Sequence, residues 1–483
     1  MLPFERIIAI DRESKIPIYR QIAIAFINAI SQGILKANTH LPSTRDLAKL
    51  LEVHRKTIVA AYEELEAQDW VVSVPRKYVA VSDKIPHLKP KKWSEEMASP
   101  ASYAAPFTLS FKQITPPRLK ETTALPSVIL DDGFPDVRLS PIDDLLKLYR
   151  SYTSKKHSIR NATFGTAQGS LKLRAVLAAY LSETRGVNIE KEHLLITHGA
   201  QMSIYLAAQL LLGPGDTIVV GKPNYGMASQ VFEQTGATVL EVAVDDNGLV
   251  VEAVQEICQN KAIKAIYVIP HHHYPTTVTL SIERRIALLK LSQQYGFAII
   301  EDDYDYDYHY ASSPYLPLAS SQHSGNVIYI GSFSKLLDPS IRIGFMVAPF
   351  NFIEQGVALR KLIDVGVDGY MQNALAELIR QGELKRHIKK AKKCYFSRRD
   401  YLDQLLRLHL AAAVDYMLPS GGMAIWLTLN KPYRVEQLLN HPQLAIKRVD
   451  KELNAFRFGF ASMNEVELEQ AVLLLKSILT VDN

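Results

Sequence analysis

The sequence predicts an α/β fold with a mainly parallel sheet, preceded by a small helical module that carries the excess positive charge. Short apolar runs end in small or acidic residues, as Val327–Ile330 does before Gly331 and Phe297–Ile300 does before Glu301. Such runs, bounded by glycine and by helical patterns, are typical of buried strands in a parallel sheet. Near the N-terminus, two helical patterns follow each other closely, which is typical of a helix-turn-helix module.

Composition favours a soluble, multidomain protein. The chain has 483 residues, which is longer than one ordinary domain. Of these residues, 47% are hydrophobic and 22% are charged, as in globular proteins. We find no run of the ~18 apolar residues that a membrane helix requires, and no signal peptide at the start. We therefore expect a cytoplasmic protein. Cys258 and Cys394 lack the spacing of metal or redox motifs, so we expect reduced thiols.

The positive charge is concentrated in one part of the chain. Met1 to Lys92 contains 15 Lys/Arg and 10 Asp/Glu, and because the whole chain has 55 and 50, the remainder holds 40 of each. A basic module attached to a neutral body predicts a polyanionic partner for that module alone.

The N-terminal module has the pattern of a winged helix-turn-helix. Residues 17–33 form a helical pattern with Pro at its start and Gly at its end, and residues 41–51 and 54–68 predict two further helices joined by a tight turn. Residues 70–81 predict two short strands that form a wing. In such modules, the second helix of the pair reads bases and the first contacts phosphates. The predicted DNA contacts are therefore Thr44, Arg45, His54, Arg55, Lys56, Thr57, and Arg76 and Lys77 at the wing tip. A solvated helix face is the alternative interpretation of Arg55 and Lys56.

A long linker follows the wing. Residues 82–126 are rich in Pro, Lys, Ser and Ala without periodicity, and a linker of this length allows the module of one chain to sit on the large domain of a partner. We place the domains at 1–81 and 127–483, with a large lobe at about 160–350 and a smaller C-terminal lobe at about 406–483.

A lysine fixed at a strand end is the centre of the predicted site. Lys335 directly follows Ser332-Phe-Ser334 at the end of a buried strand, and Arg342 lies seven residues further on. This arrangement suits a Schiff base to an aldehyde that carries a phosphate. Asp302 ends the preceding strand, and parallel strands deliver their carboxyl ends to one edge, so Asp302 and Lys335 are predicted to face one ligand. A surface lysine is the alternative for this motif taken alone.

These motifs resemble a known family. Glu301-Asp-Asp-Tyr-Asp305 with Gly331-Ser-Phe-Ser-Lys335 and Arg342 resembles the fold-type-I pyridoxal-phosphate aminotransferases. Pro17-Ile-Tyr19 and Leu41-Pro-Ser43 resemble the GntR winged helix. In combination, the chain resembles the MocR group of bacterial regulators, in which a GntR-type winged helix is fused to an aminotransferase-like domain.

The resemblance implies pyridoxal phosphate as the cofactor, a dimer and roles for particular residues. Lys335 would carry the Schiff base, Asp302 would hold the pyridine nitrogen, and Tyr304 the ring oxygen. Tyr225 would stack on the ring, and Arg457 would bind the carboxylate of an effector. The residues that would bind phosphate are Gly199, Ala200, Gln201, Ser332, Ser334 and Arg342.

Two segments depart from the family pattern. Phe164 stands where relatives commonly have a tyrosine whose hydroxyl reaches the phosphate of the dimer partner. The loop from His271 to Thr277 lacks the usual Gln and Gly, and its three successive histidines invite a metal interpretation. On an extended segment, successive side chains point to opposite faces, so we predict no chelate there.

The sequence favours a pyridoxal-phosphate-dependent transcription regulator that binds promoter DNA as a homodimer and senses an amine, an amino acid or the cofactor itself. The alternatives are an active aminotransferase with an accessory DNA-binding module, and a degenerate domain that serves only dimerisation.

Overall fold

The computed structural model describes residues 4–74, 77–85, 109–110, 112, 114, 126–154, 166–310, 315–364, 366, 368–439 and 441–480. Arg76, Phe164 and most of the predicted linker lie outside these ranges. The chain divides into two compact units, Met1–Pro116 and Pro117–Asn483, which we describe separately.

The N-terminal unit contains the predicted helix-turn-helix. Helices α1 (Phe4–Ile7) and α2 (Ile18–Ser31) precede α3 (Thr44–Leu50) and α4 (Arg55–Ala67). Ser43 caps α3 by accepting a hydrogen bond from the Asp46 N–H, and the His54 imidazole caps α4 by accepting from the Lys56 N–H. These caps fix where both helices begin, because the first N–H groups of a helix otherwise lack partners.

A three-stranded antiparallel sheet completes this unit. Its strands are β1 (His40–Leu41), β2 (Val71–Val74) and β3 (Tyr78–Val81), with β3 in the centre. Phe26, Ile58 and Leu65 are fully buried in the core between helices and sheet. The predicted wing therefore forms, and β1 adds a strand that the sequence pattern did not indicate.

The second unit is organised around an eight-stranded, mainly parallel sheet, as predicted. Its spatial order is β5, β12, β11, β10, β9, β6, β7, β8, and β12 and β8 are antiparallel to their neighbours. The strands are β5 (Leu194–Thr197), β6 (Thr217–Lys222), β7 (Thr238–Asp245), β8 (Gly248–Leu249), β9 (Ala265–Val268), β10 (Ala298–Asp303), β11 (Val327–Ser332) and β12 (Gly344–Val347).

Helices cover both faces of this sheet. Successive strand residues alternate between two apolar cores, so that Ile299 and Tyr329 belong to one and Ile300 and Ile330 to the other. The helices are α5 (Ile142–Thr153), α6 (Leu171–Arg185), α7 (Ala200–Leu211), α8 (Gly226–Gln234), α9 (Val251–Asn260), α10 (Ile282–Tyr295), α11 (Phe350–Ile363), α12 (Gly369–Arg380) and α13 (Glu383–His409).

A smaller sheet forms the C-terminal lobe. Strands β13 (Val414–Asp415), β14 (Ala424–Leu429), β17 (Ala455–Gly459) and β16 (Val449–Asp450) are antiparallel neighbours in that order. Strand β4 (Val128–Leu130) pairs in parallel with β15 (Leu444–Ile446), so the segment that leads into the unit lies against this lobe. Helices α14 (Val435–Leu439) and α15 (Glu465–Thr480) complete it. None of the helices in the described ranges is long and apolar enough to cross a bilayer.

Candidate functional sites

The carboxyl ends of four strands that run in the same direction place the predicted residues at one edge of the sheet. Strand β5 ends before Gly199, β6 before Tyr225, β10 at Asp303 and β11 before Lys335. Strand β12 runs in the opposite direction, so the segment with Arg342 begins at the same edge. This is the edge where α/β folds bind ligands.

A cavity of about 260 Å³ opens at this edge. It is lined by Asp132, Phe134, Ala200, Gln201, Tyr225, Ile269, Tyr274, Asp302, Tyr304, Ser332, Ser334, Lys335, Pro339 and Arg342. The structure therefore brings together nine of the eleven residues predicted to bind the cofactor or effector. Gly199 directly precedes the lining residue Ala200, and Arg457 is not among the lining residues.

Lys335 is held at the cavity wall by the segment from Asp132 to Phe134. Its Nζ donates a hydrogen bond to the Gly133 carbonyl at 2.9 Å and lies 3.8 Å from Asp132 Oδ1. The ammonium also sits 4.0 Å from the centre of the Phe134 ring. Burial lowers the pKa of Lys335, although the charge of Asp132 opposes this effect. A lowered pKa increases the fraction of neutral, nucleophilic amine.

Asp302 is buried with one oxygen engaged and one free. Tyr267 Oη donates to Asp302 Oδ2 at 2.6 Å, whereas Oδ1 has no hydrogen-bond partner among the described residues. Burial raises the pKa of Asp302 to about 6, and the Tyr267 hydrogen bond works against that rise. A buried carboxylate oxygen without a partner is costly, so this atom is positioned to accept a hydrogen bond from a ligand.

The turn before α7 has the geometry of an anion site. Gly199 adopts φ +76°, and a Cβ at this position would lie 2.8 Å from Arg342 Nη2. The N–H groups of the first turn of α7 follow directly, and such groups attract phosphate. Arg342 Nη2 donates to the His198 carbonyl at 3.2 Å, which fixes the guanidinium beside the turn.

Two serines line the same end of the cavity. Ser332 Oγ accepts a hydrogen bond from the Ser334 N–H at 3.1 Å. Ser334 Oγ is buried and has no partner in the part of the chain that the structure describes. With Arg342 and the α7 N-terminus, this hydroxyl completes a set of donors suited to a phosphate group.

Tyr304 and Arg457 are hydrogen-bonded to each other and to three backbone carbonyls. Tyr304 Oη donates to the His272 carbonyl at 2.7 Å and accepts from Arg457 Nη2 at 3.0 Å. Arg457 is fully buried, and its Nε and Nη1 donate to the carbonyls of Asp132 and Pro275 at 2.8 and 2.9 Å. Three of the five guanidinium N–H groups are thus engaged by described residues.

The three histidines do not lie on an extended segment as predicted. They occupy a bend in which His272 has φ +43°, and all three side chains are buried with separate partners. His271 faces the Tyr315 carbonyl, His272 Nδ1 lies 2.9 Å from Asp305 Oδ1, and His273 contacts Thr276. Burial lowers the pKa of His273 to about 3. Within the described ranges, His, Cys, Asp and Glu side chains form no group of three or more that could hold a metal ion.

The predicted DNA contacts that the structure describes lie on α3, at the start of α4 and beside the wing, and Thr44 and Thr57 are half-buried. Arg45, His54, Arg55 and Lys56 are exposed, as is Lys77 beside the wing. Arg55 Nε donates to Thr44 Oγ1 at 3.2 Å, which joins the start of α4 to the start of α3. Tyr62 Oη, from the buried side of α4, donates to the Pro42 carbonyl at 2.8 Å and fixes the angle between the helices.

Comparison with known families decides the assignment. The family model of aminotransferase class I and II matches residues 142–474, and that of the bacterial regulatory proteins of the gntR family matches residues 18–81. The chain is 30% identical to the uncharacterised HTH-type transcriptional regulator YhdI of Bacillus subtilis, over 89% of this chain and 87% of that protein. It is 29% identical to the HTH-type transcriptional regulator TauR of Rhodobacter capsulatus, with 92% and 93% covered.

The chain belongs to the MocR-type transcriptional regulators. The probable rhizopine catabolism regulatory protein MocR of Rhizobium meliloti is itself 27% identical to it, over 86% of this chain and 83% of that protein. Among solved structures, a kynurenine aminotransferase of Pyrococcus horikoshii matches with a TM-score of 0.69 and 26% identity, covering 75% of this chain and 93% of that one. This MocR-type chain thus combines a GntR helix-turn-helix with the fold of pyridoxal-phosphate-binding aminotransferases, as the sequence predicted.

The residues of this MocR-type regulator fit that cofactor. An unpartnered carboxylate oxygen on Asp302 suits a protonated pyridine nitrogen, and a helix N-terminus with Arg342 and Ser334 suits a phosphate. Lys335 lines the same cavity and offers an amine to an aldehyde.

Sequence reasoning missed two groups at this site. Tyr267 was not predicted to take part in the site, although its hydroxyl holds Asp302. Its position on the strand next to β10 is the signal that could have found it, since Tyr267 pairs in register with Ile300. The contact of Asp132–Phe134 with Lys335 joins residues about 200 positions apart and leaves no local pattern.

Proposed function

We propose that this MocR-type regulator binds pyridoxal phosphate at Lys335 and changes its DNA binding when an amine, an amino acid or the cofactor itself occupies the site. The unpartnered Oδ1 of Asp302, in one cavity with Lys335 and the start of α7, is the observation that carries the proposal.

Pyridoxal phosphate, when bound, supplies an aldehyde that bonds covalently to amines and a pyridine ring that withdraws electrons. Asp302 Oδ1 would accept a hydrogen bond from the pyridine nitrogen and keep it protonated. Lys335, with its lowered pKa, would provide the amine. Tyr225 would stack on the ring, and burial raises its pKa to about 12, so its hydroxyl stays neutral. Tyr304 would hold the ring oxygen.

The phosphate group would lie at the other end of the cavity. The N–H groups of Ala200 and Gln201, the hydroxyls of Ser332 and Ser334, and the guanidinium of Arg342 surround that position. Arg457 would bind an effector carboxylate. The DNA contacts are made by α4 and by Thr44 and Arg45 of α3.

The regulator is proposed to act as a homodimer in the cytoplasm, with residues 1–81 as the DNA-binding domain and 127–483 as the effector domain. Two winged helices in one dimer bind two half-sites, so an effector that favours one arrangement of the domains changes operator affinity.

Borohydride reduction followed by peptide mass analysis tests cofactor binding directly. The expected result is a stable cofactor adduct on Lys335 in the wild type and none in Lys335→Ala. An absent adduct in the wild type would contradict the proposal and favour a domain that serves only dimerisation.

Lys335 and Asp302 in one cavity also favour a second candidate function, an active aminotransferase. Incubation of the loaded protein with amino donors and a keto acid separates the two. We expect the regulator to stop within one turnover per site, whereas many turnovers per site would establish the enzyme.

A further inference from the structure

The segment Asp132–Phe134 encloses the ammonium of Lys335 on three sides. Gly133 contributes a carbonyl at 2.9 Å, Asp132 a carboxylate oxygen at 3.8 Å, and Phe134 an aromatic ring at 4.0 Å from Nζ. A carbonyl, a carboxylate and the face of a ring are the groups that bind an alkylammonium in proteins. We call these three residues the ammonium box.

The box is rigid without Lys335, because other groups hold its backbone. Asp131 Oδ1 accepts hydrogen bonds from the N–H groups of Gly133 and Phe134 at 2.7 and 2.9 Å. Gly133 has φ +97°, and a Cβ there would lie 3.5 Å from Arg457 Nη2. The carbonyl of Asp132 accepts from Arg457 Nε, so the chain is fixed on both sides of the box.

Asp132 carries the charge of the box and has capacity for a second cation. Its Oδ2 accepts a hydrogen bond from Tyr274 Oη at 3.2 Å, whereas Oδ1 is buried and has no hydrogen-bond partner among the described residues. The cavity contains three other charged residues, Asp302, Lys335 and Arg342, and the proposed function assigns all three to the cofactor. Besides Arg457, which is proposed to bind an effector carboxylate, Asp132 is the charge that remains for the effector.

We propose that the ammonium box binds a second cationic group of the effector, so that the effector is a primary amine that carries a further ammonium. This inference rests on the proposed function, in which the Lys335 amine forms a C=N bond with the cofactor aldehyde, the aldehyde oxygen leaves as water, and Nζ leaves the box. The vacated box then presents a carboxylate oxygen and an aromatic ring to the cavity. The second ammonium of the effector would bind there before its primary amine replaces Lys335 in the C=N bond, and Lys335 would be released as a neutral amine that leaves Asp132 to the effector. Diamines and basic amino acids share the required chemistry, whereas a distal carboxylate would face Asp132 and be repelled.

Hydrogen bonds connect the box to the C-terminal lobe. Asp131, which orients the box, accepts a hydrogen bond from Ser462 Oγ, and its own carbonyl accepts from the Gly459 N–H at 2.9 Å. Gly459 ends β17, the strand that contains Arg457. An effector in the box therefore contacts a segment that is hydrogen-bonded directly to this lobe.

Amine titrations of the cofactor-loaded full chain test the box through the change in the cofactor absorption spectrum. We expect 1,4-diaminobutane and L-ornithine to bind at least about tenfold more tightly than butylamine, and more tightly than 4-aminobutanoate. The tighter of the first two identifies a diamine or a basic amino acid as the effector class.

Asp132→Asn is expected to reduce the preference for diaminobutane over butylamine to below about threefold. Phe134→Leu, which keeps the apolar volume, is expected to reduce it by about threefold.

Equal affinities of diaminobutane and butylamine in the wild type would overturn the proposal, as would tightest binding of 4-aminobutanoate or an unchanged preference in both variants. Cofactor loading is measured separately for each variant, and affinities are compared on loaded protein.

A second experiment needs no cofactor and separates failure of the box from failure of the proposed function. Lys335→Ala removes the ammonium from the box, and propylammonium restores the missing atoms. Calorimetry is expected to detect propylammonium binding to Lys335→Ala, and at least about tenfold weaker binding to Lys335→Ala/Asp132→Asn. Absent or equal binding in the two variants overturns the box, whether or not the wild type takes up pyridoxal phosphate.

Discussion

Tyr267 and Asp302 are joined by a hydrogen bond of 2.6 Å that uses one carboxylate oxygen, and the other oxygen is buried with no partner among the described residues. The tyrosine lies on β9 and the aspartate on β10, so adjacent strands fix the direction in which the free oxygen points. The account of the cofactor site depends on this geometry.

Replacement of Asp302 by Asn is expected to weaken cofactor binding. The variant keeps the size of the side chain but loses the charge, and a charge-assisted hydrogen bond contributes about 1.5–3 kcal/mol. We expect the dissociation constant for pyridoxal phosphate to rise by about tenfold to a hundredfold, measured by absorbance titration. Tyr267→Phe keeps the carboxylate and is expected to cost less than tenfold. Wild-type affinity in Asp302→Asn would contradict the assigned role.

The same carboxylate predicts the pH dependence of cofactor binding. Burial raises the pKa of Asp302 to about 6, so the group is ionised above this pH and neutral below it. The affinity advantage of the wild type over Asp302→Asn should therefore shrink as the pH falls from 7.5 to 5. Protonation of Lys335 also weakens binding at low pH, but it affects both proteins, so the ratio isolates Asp302. A constant ratio across this range would contradict the prediction.

The contribution of Asp302 to the stability of the cofactor-free protein falls as the pH rises, whereas its contribution to cofactor binding increases. A carboxyl group whose pKa is higher in the folded than in the unfolded state stabilises the fold below pH 3.8 and loses that contribution as the pH rises past about 6. We expect the Tm difference between Asp302→Asn and the wild type to shift in favour of the variant between pH 4 and 7. The corresponding change in the free energy of unfolding is on the order of 3 kcal/mol. Thermal unfolding without cofactor measures it.

Glycine at position 199 is expected to be essential for phosphate binding. A Cβ there would lie 2.8 Å from Arg342 Nη2, and φ +76° is strained for other residues. Gly199→Ala should therefore displace Arg342 and reduce cofactor affinity by at least about tenfold, measured by the same titration. Gly226→Ala is the matched control, because a Cβ at Gly226 meets nothing within 4 Å. Equal losses in the two variants would show that the turn has no special role.

The two basic residues at the start of α4 are expected to differ in their effects on DNA binding. Arg55 is oriented by Thr44 and is expected to contact base edges, so Arg55→Ala should reduce affinity for the operator by about 1–3 kcal/mol and relax its sequence preference. Lys56→Ala should weaken binding to all sequences and lower the slope of log affinity against log salt by about one. Lys84→Ala, which removes a charge paired with Asp69, is the control with little expected effect.

Local patterns predicted the elements well. Helix α2 was expected from the apolar spacing between Pro17 and Gly33 and spans Ile18–Ser31, and the buried strand before Lys335 spans Val327–Ser332. Asp302 and Lys335 were predicted to share a site because strands of one parallel sheet end at one edge, and both line the cavity.

Contacts between distant segments were the part that the sequence did not reveal. The bend at His272 depends on its contact with Asp305 and on close packing against Gly421, where a Cβ would lie 2.2 Å from His272 Nε2. An isolated run of histidines gives no sign of either. Likewise, the burial of Arg457 against the carbonyls of Asp132 and Pro275 requires three segments to meet.

The central claim is that cofactor occupancy controls sequence-specific DNA binding, and one measurement tests it most directly. Purified protein is titrated onto DNA from upstream of its own gene and onto unrelated DNA, with and without pyridoxal phosphate, at two salt concentrations, beside an Arg55→Ala/Lys56→Ala variant. We expect specific binding that the cofactor alters and the variant loses. Binding that is equal on both DNAs, indifferent to the cofactor and abolished by salt would contradict it.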